Sequence, residues 1–389
     1  MSQPDQLIEL PIDHTFPLVT ALVSKGINVH LDGGSGIGKT TTLKKVADSL
    51  SRRLCPFILS AKDVGDIGMA VPSKDDRFLA YRVNESLPFI GTEALWLHPS
   101  SHLPPLLFLD EINDAAKYMM NIFQQALLEK AIHGVPFIPG TVLVSAGNRA
   151  MDGGNPVQIT APFANRSVRL NCLPPTLDGF TAYCQQHNVN EWVSAYATHT
   201  GGASIYEFDP RRFLIDKAFA TPRAWCEHVS SIMDANLPDE YRISAISGSV
   251  GRARAEDFEE FYRLRSELPD FNLIKSTPDG HSKAKVPTNA ATKIIVVNSL
   301  VRHADHTSIG NIFKYCTRLS VTDPEFNDLF EKGLFTKDPS FAGHPEYTRW
   351  VLANNRTPIR NTAASPAPSL PEPPPPPASP ANSVRRIRI

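Results

Sequence analysis

An apolar run, Ile27–Leu31, leads into Gly33-Gly34-Ser35-Gly36-Ile37-Gly38-Lys39-Thr40, and a helical pattern over Thr40–Leu50 follows. These eight residues fit G-x-x-x-x-G-K-[ST], and a strand before with a helix after is the setting that motif requires. Few folds accommodate it: strand, glycine loop and helix are the opening unit of a parallel α/β sheet. The glycines let backbone N–H groups close around phosphate oxygens without Cβ clashes, at the positive end of a helix dipole. Lys39 would reach the β- and γ-phosphates, and the Thr40 hydroxyl would ligate Mg²⁺. The expected nucleotide contacts are Gly33, Gly34, Ser35, Gly36, Ile37, Gly38, Lys39, Thr40 and Thr41.

Four further apolar runs, Pro56–Ser60, Leu106–Leu109, Thr141–Ala146 and Ser167–Leu170, read as strands buried on both faces. With the helical spacing of Ala115–Lys130 they predict a five-stranded parallel sheet flanked by helices over residues 1–175. Beyond Pro174-Pro175 the pattern turns helical. Phe180, Tyr183, Cys184 and His187 recur at i, i+3, i+4, i+7, as do Trp225, His228, Val229 and Ile232. Such stripes usually face a core, and no chemistry is assigned to them. The expected organisation is an α/β core over 1–175, an α-helical lid over 176–238, a mostly helical extension over 239–354, and a disordered tail over 355–389. The stretch Pro358–Pro380 holds ten of the 34 prolines and almost no apolar bulk, so nothing there offsets the entropy of ordering.

Composition trims the functional classes. Lys and Arg number 39 against 40 Asp and Glu, a net charge of −1. No diffuse positive field exists to coat nucleic acid. Five scattered cysteines without a Cys-x-x-Cys pair suit free thiols. No run approaches the roughly 18 apolar residues of a membrane span, and the start lacks the layout of a secretory signal. A cytoplasmic setting is the expectation. His303 and His306, and His98 and His102, lack a third ligand at a metal-site spacing.

Asp110 and Glu111 end the third run. Asp110 would hold Mg²⁺ through its water shell, and Glu111 would activate water for attack on the γ-phosphate. An enzyme that transfers phosphate to a metabolite must avoid that water, so the pair argues for hydrolysis. Asn148 ends the Thr141–Ala146 run and either holds the attacking water or makes an Asx turn. Arg166 precedes the last strand, where it either forms a surface ion pair or stabilises transition-state charge in a neighbouring subunit. Arg223 follows Pro222 in a first helical turn.

This order resembles the AAA+ superfamily and, within it, the MoxR-type ATPases. The resemblance lies in LFLDEINDA (Leu107–Ala115), FQQALLEKAIHG (Phe123–Gly134), VSAGNRAMDGG (Val144–Gly154), APFANRSVRL (Ala161–Leu170) and FATPRAW (Phe219–Trp225). It covers about residues 20–260, with SGSVGRARAEDFEEF (Ser247–Phe261) at its far end, and implies sensor-1, arginine-finger and sensor-2 roles for Asn148, Arg166 and Arg223. It also implies a hexameric ATP-hydrolysing ring, chaperone-like, that remodels a client and often works with a von Willebrand factor A domain partner. Two departures stand out: Ala131–Gly140 is short for the hairpin many relatives carry, and the Pro-rich tail lies outside the family pattern.

The leading expectation is thus an ATPase ring using ATP and Mg²⁺, with Lys39, Thr40, Asp110, Glu111 and Arg223 from one subunit and Arg166 from the next. A stretch near Asp75–Val83, with Phe78 and Tyr81, is either a client-gripping channel loop or an ordinary hairpin. The alternatives are a nucleic-acid motor or loader using Arg252 and Arg254 or the Arg385–Arg388 cluster, and a nucleotide-gated scaffold acting through its tail. Neutral charge and the lack of a basic helix speak against the motor.

Overall fold

A computed structural model describes residues 8–72, 79–148, 161–209, 213, 215, 217–276 and 279–354. The expected tail, Phe78 and the Arg385–Arg388 cluster lie outside the described residues. Six strands form one parallel sheet: β1 (Glu9–Pro11), β2 (Val29–Gly33), β3 (Leu54–Ile58), β6 (Leu106–Asp110), β9 (Val142–Gly147) and β10 (Val168–Leu173). Their order is β1-β10-β2-β9-β6-β3. All five expected strands are present, within a few residues of their predicted bounds. The sixth, β1, adds to the edge through the register Glu9↔Asn171 to Pro11↔Leu173. It escaped the sequence reading because three residues carry no legible period. The sheet is therefore six-stranded, where five strands were expected.

The three central strands β2, β9 and β6 are buried along nearly their whole length, with every residue of β9 buried, as continuous apolar runs require. Helices α1 (Ile12–Ser24), α2 (Lys39–Ser49) and α3 (Lys117–Glu129) supply the covering layers. Val19, Val23, Leu43 and Val46 pack with β2 and β9 in one hydrophobic cluster, and Met119, Phe123 and Leu127 pack with β3 and β6 in another.

Two antiparallel hairpins leave the sheet. Strands β4 (Gly68–Pro72) and β5 (Leu79–Val83) form one, and the short β7 (Ala131–Ile132) and β8 (Val135–Pro136) the other. The second turns on His133 and Gly134, both at positive φ, the backbone that two-residue hairpins favour. The two touch where the Tyr81 ring centroid lies 4.2 Å from that of His133, and within the first hairpin Tyr81 Oη donates to the Gly68 carbonyl.

The rest is helical. Helices α4 (Leu177–Gln186), α5 (Glu191–His199), residues 222–234, α6 (Asp239–Val250) and α7 (Arg252–Tyr262) enclose a cluster that includes Phe180, Trp192, Tyr196, Trp225 and Phe258. Helices α8 (Ala290–His303), α9 (Ile309–Leu319), α10 (Glu325–Lys337) and α11 (Pro345–Ala353) enclose a second one around Phe313, Phe330 and Trp350. Within helix 222–234, Ala224–Val229 form a π-helical turn, a form that recurs at functional sites. Among the described residues, no helix is long and apolar enough to cross a membrane.

Candidate nucleotide site

The strand order builds the site. In a parallel sheet all C-terminal strand ends lie along one edge, where open α/β sheets bind ligands. The glycine loop leaves β2, the Asp110-Glu111 pair leaves β6, and β9 runs between them, hydrogen-bonded to both. Asn148 therefore emerges between loop and carboxylates. The alternation of apolar runs makes that edge legible, but the sequence alone does not tell that β9 is the strand in the middle.

The loop is a cradle that side chains would fill. A Cβ on Gly33 would lie 2.7 Å from the Cys172 carbonyl oxygen, one on Gly34 2.3 Å from Tyr206 Oη, and one on Gly36 2.8 Å from Thr221 Oγ1. Gly36 and Gly38 have φ of +71° and +107°, values that glycine adopts at little steric cost. Lys39, 9 % exposed, lies back along the loop. Its Nζ donates to the carbonyls of Gly33 (2.6 Å) and Gly34 (2.8 Å) and to Asn148 Oδ1 (3.1 Å).

Thr40 Oγ1 donates to Asp110 Oδ2 at 3.2 Å, so the two residues expected to share a metal ion meet. The backbone N–H of Glu111 donates to Asp110 Oδ1 at 2.9 Å. Burial pushes the Asp110 carboxyl up from its ordinary range, against the pull of the Glu111 N–H, the Thr40 hydroxyl and the Lys39 charge. Glu111 has φ +53° and ψ +39°, a left-handed backbone uncommon for any residue but glycine, asparagine or aspartate. That turn swings its side chain across to the end of β3, where one carboxylate oxygen accepts from the Ser60 hydroxyl.

Three residues outside the expected set bind the site together. Asn113 Nδ2 donates to the Asn148 carbonyl at 2.6 Å, tying the turn after β6 to the end of β9. Ser60 holds Glu111. Asp13, at the start of α1, accepts from the Thr176 backbone N–H (3.0 Å) and hydroxyl (2.5 Å), joining the core to the N-terminus of α4. Thr176 in turn caps α4 by accepting from the Gly179 N–H at 3.0 Å. The carboxylate that holds Thr176 comes from 163 residues away in the chain.

Helix 222–234 closes over the loop. The Arg223 backbone N–H donates to the Gly36 carbonyl at 3.1 Å, and the Thr221 hydroxyl accepts from the Ala224 N–H at 3.0 Å. Between this helix, α4 and the loop lies a cleft of about 320 Å³ whose wall includes Gly38, Thr40, Lys45, Tyr183, Arg223 and Glu227. Tyr183 belongs to a stripe read as core, yet only its partners Phe180 and Cys184 are buried in α4.

Arg166 stands apart. It precedes β10, its carbonyl accepts from Asn28 Nδ2 just before β2, and its guanidinium donates to the Gln124 carbonyl on α3 at 3.0 Å. It thus lies at the N-terminal edge of the sheet, a strand length of roughly 16 Å from the loop of its own chain.

Several other expectations find their places. Tyr81 is pinned within its hairpin by Gly68 and His133. Arg252 pairs with Glu256 at 2.8 Å, and Arg254 with Glu207 at 2.5 Å. His303 faces Glu191 and His306 faces Asp338, and among the described residues no group of three metal-ligating side chains assembles. None of the five cysteines is in a disulfide, and Cys226 alone of them is not fully buried.

No protein-family model and no curated protein matches the chain. Among solved structures, a mutant of RuvB from Thermotoga maritima is 16 % identical over 69 % of this chain and 76 % of that one, at a TM-score of 0.35. NtrX from Brucella abortus in complex with ADP is 13 % identical over 84 % of this chain and 69 % of that one, also at 0.35. Likeness of this degree carries no functional argument. The cleft takes in Gly36, Gly38 and Thr40, while Lys39 on the loop carbonyls and Asp110 on Thr40 lie beside it at the sheet edge where such a loop can receive a phosphate.

Proposed function

We propose that this protein is an ATP-hydrolysing AAA+ ring of MoxR type that remodels a protein partner. The observation that carries the reading is the meeting of Thr40 and Asp110 at 3.2 Å beside Lys39, with Glu111 on the next residue. Thr40 and Asp110 fit a hard divalent cation such as Mg²⁺, which prefers oxygen ligands. Mg²⁺ would neutralise charge between the β- and γ-phosphates.

The residues of this chain divide the remaining work. The cradle of Gly33–Gly38 wraps the phosphates with backbone N–H groups, and Lys39 exchanges its carbonyl partners for phosphate oxygens. Glu111, released from Ser60, accepts a proton from the attacking water, and Asn148 holds that water from the far side. Arg223 enters from the lid. Arg166 serves a neighbouring subunit, because its position at the opposite sheet edge keeps it from its own loop. Hydrolysis then moves the helical lid against the α/β core, an interface switch that a ring turns into work on a client. A von Willebrand factor A domain protein is the partner class the resemblance points to, and cytoplasmic residence fits the free thiols.

The test is the native mass of Glu111→Gln with and without Mg²⁺-ATP. An ATP-dependent shift to about six subunits supports the ring. A monomer that binds ATP would end it and return Arg166 to a local structural role.

A further inference from the structure

Cys184 on α4 and Cys226 in the π-helical turn approach to 4.0 Å between sulfurs. They lie 42 residues apart, on the two helices that form the lid side of the cleft. Cys226 itself lines the cleft next to Glu227 and Tyr183, whereas Cys184 is 2 % exposed. The other three thiols, Cys55, Cys172 and Cys316, are buried.

From this geometry we propose that Cys184 and Cys226 are an oxidation site, an accessible thiol backed by a buried resolving thiol, whose disulfide retunes the nucleotide cleft. Its coupling to nucleotide rests on the proposed function; the disulfide itself does not.

The step balances with a peroxide as oxidant. Cys226 Sγ attacks one peroxide oxygen, the O–O bond breaks, and a sulfenic acid forms with release of water. Cys184 Sγ then attacks the sulfenic sulfur, the S–O bond breaks, and a second water leaves. Two thiols are oxidised and one peroxide is reduced to two waters. Entry through Cys226 follows from its exposure to the cleft. Burial pushes the Cys184 thiol well up from its ordinary range, so the second step is the slow one, because the thiolate is the attacking form.

Closure needs the sulfurs to come from 4.0 Å to bonding distance, about 2 Å. The π-helical turn is where that movement is easiest, since such turns are isolated interruptions of the α-helical ladder. Arg223 lies three residues before Cys226, with its backbone N–H on the Gly36 carbonyl. Drawing Cys226 toward α4 therefore shifts the turn that touches the phosphate loop, and it moves Tyr183, the neighbour of Cys184, in the cleft wall.

The experiment treats the full chain with hydrogen peroxide, digests it under non-reducing conditions and reads peptides by mass spectrometry. Fluorescent ATP-analogue affinity is measured in parallel, before and after dithiothreitol. The expected result is a Cys184–Cys226 cross-linked peptide lacking two hydrogens. Affinity should change roughly fivefold or more, the lower end of ordinary coupling between sites, and return on reduction. Cys184→Ala should give no cross-link and leave a dimedone-trappable sulfenic acid on Cys226. Overoxidised Cys226 without a cross-link in the wild type would overturn the pair, and a cross-link with unchanged affinity would overturn the coupling. A chain that cross-links yet binds no nucleotide at all, oxidised or reduced, would instead remove the proposed function.

Discussion

Thr40 and Asp110, 70 residues apart in the chain, are joined by a 3.2 Å hydrogen bond across the mouth of the glycine loop. One belongs to the first turn of α2 and the other to the last position of β6. Their meeting makes cation binding the property to perturb. Asp110→Asn keeps the shape and an acceptor for Thr40 but removes the charge. Mg²⁺-dependent ATP hydrolysis should fall about a hundredfold or more, the scale on which removing one electrostatic stabiliser acts. Hydrolysis of Asp110→Asn at the wild-type rate would detach Asp110 from the metal.

Glu111 gives a sharper separation. Glu111→Gln should retain ATP binding and lose about 10²–10⁴-fold in turnover, the range for a general base. Equilibrium binding and single-turnover hydrolysis on the same preparation measure the two effects. Equal loss of both would mean that the residue supports the fold rather than the chemistry.

The Ser60 hydroxyl occupies a carboxylate oxygen of Glu111. A hydrogen bond to a charged group is worth about 1.5–3 kcal/mol, and this one must be given up before that oxygen can take a proton from water. Ser60→Ala should therefore raise basal hydrolysis severalfold with little change in ATP affinity. A rate that stays flat or drops would show that the contact positions Glu111 instead of restraining it.

Arg166 lies at the sheet edge away from its own loop, so its loss should be complementable. Arg166→Ala and Lys39→Ala are each expected to abolish most hydrolysis. Mixed in equal amounts, they should recover a fraction of it, because some interfaces then pair an intact loop with an intact arginine. No recovery on mixing, with both variants folded and assembled, would refute a shared site.

His30 ties the site to pH. It lies in β2, fully buried, 2.9 Å from Ser145 Oγ, and burial, helped by Arg169 and Lys39, drops it to about 3 from 6.5. The folded protein keeps this imidazole neutral while the unfolded chain protonates near 6.5, so its contribution is present above 6.5 and is lost as pH falls toward 3. The slope is at most about 1.4 kcal/mol per pH unit. Urea midpoints between pH 7 and 5 should decline more steeply for the wild type than for His30→Gln. Parallel profiles would assign the acid sensitivity elsewhere.

Much of the fold was legible because buried parallel strands advertise themselves. Val142–Gly147 and Leu106–Asp110 are continuous apolar runs that end in polar residues, and those ends are the site. The glycines, Lys39, Thr40, Asp110 and Asn148 came together as their order implied. What stayed hidden depends on long-range pairing. Three-residue β1 has no period of its own and exists through β10. Ser60 reads as the end of a strand, and only the left-handed turn at Glu111 brings a carboxylate to it. Asn113 reads as one more polar residue after the acids. Tyr183 lies in a stripe whose spacing fits a core, and packing alone divides that stripe between core and cleft.

The Asn113 bond to the Asn148 carbonyl has a consequence for how the site can respond. Asn113 follows Asp110 by three residues, Asn148 also accepts from Lys39, and Lys39 is bound to the loop. The tips of β2, β6 and β9 are thus laced crosswise as well as through the sheet. A tug on any one of them is shared by the other two, so the phosphate loop, the acids and the amide act as a single jaw rather than three independent fingers.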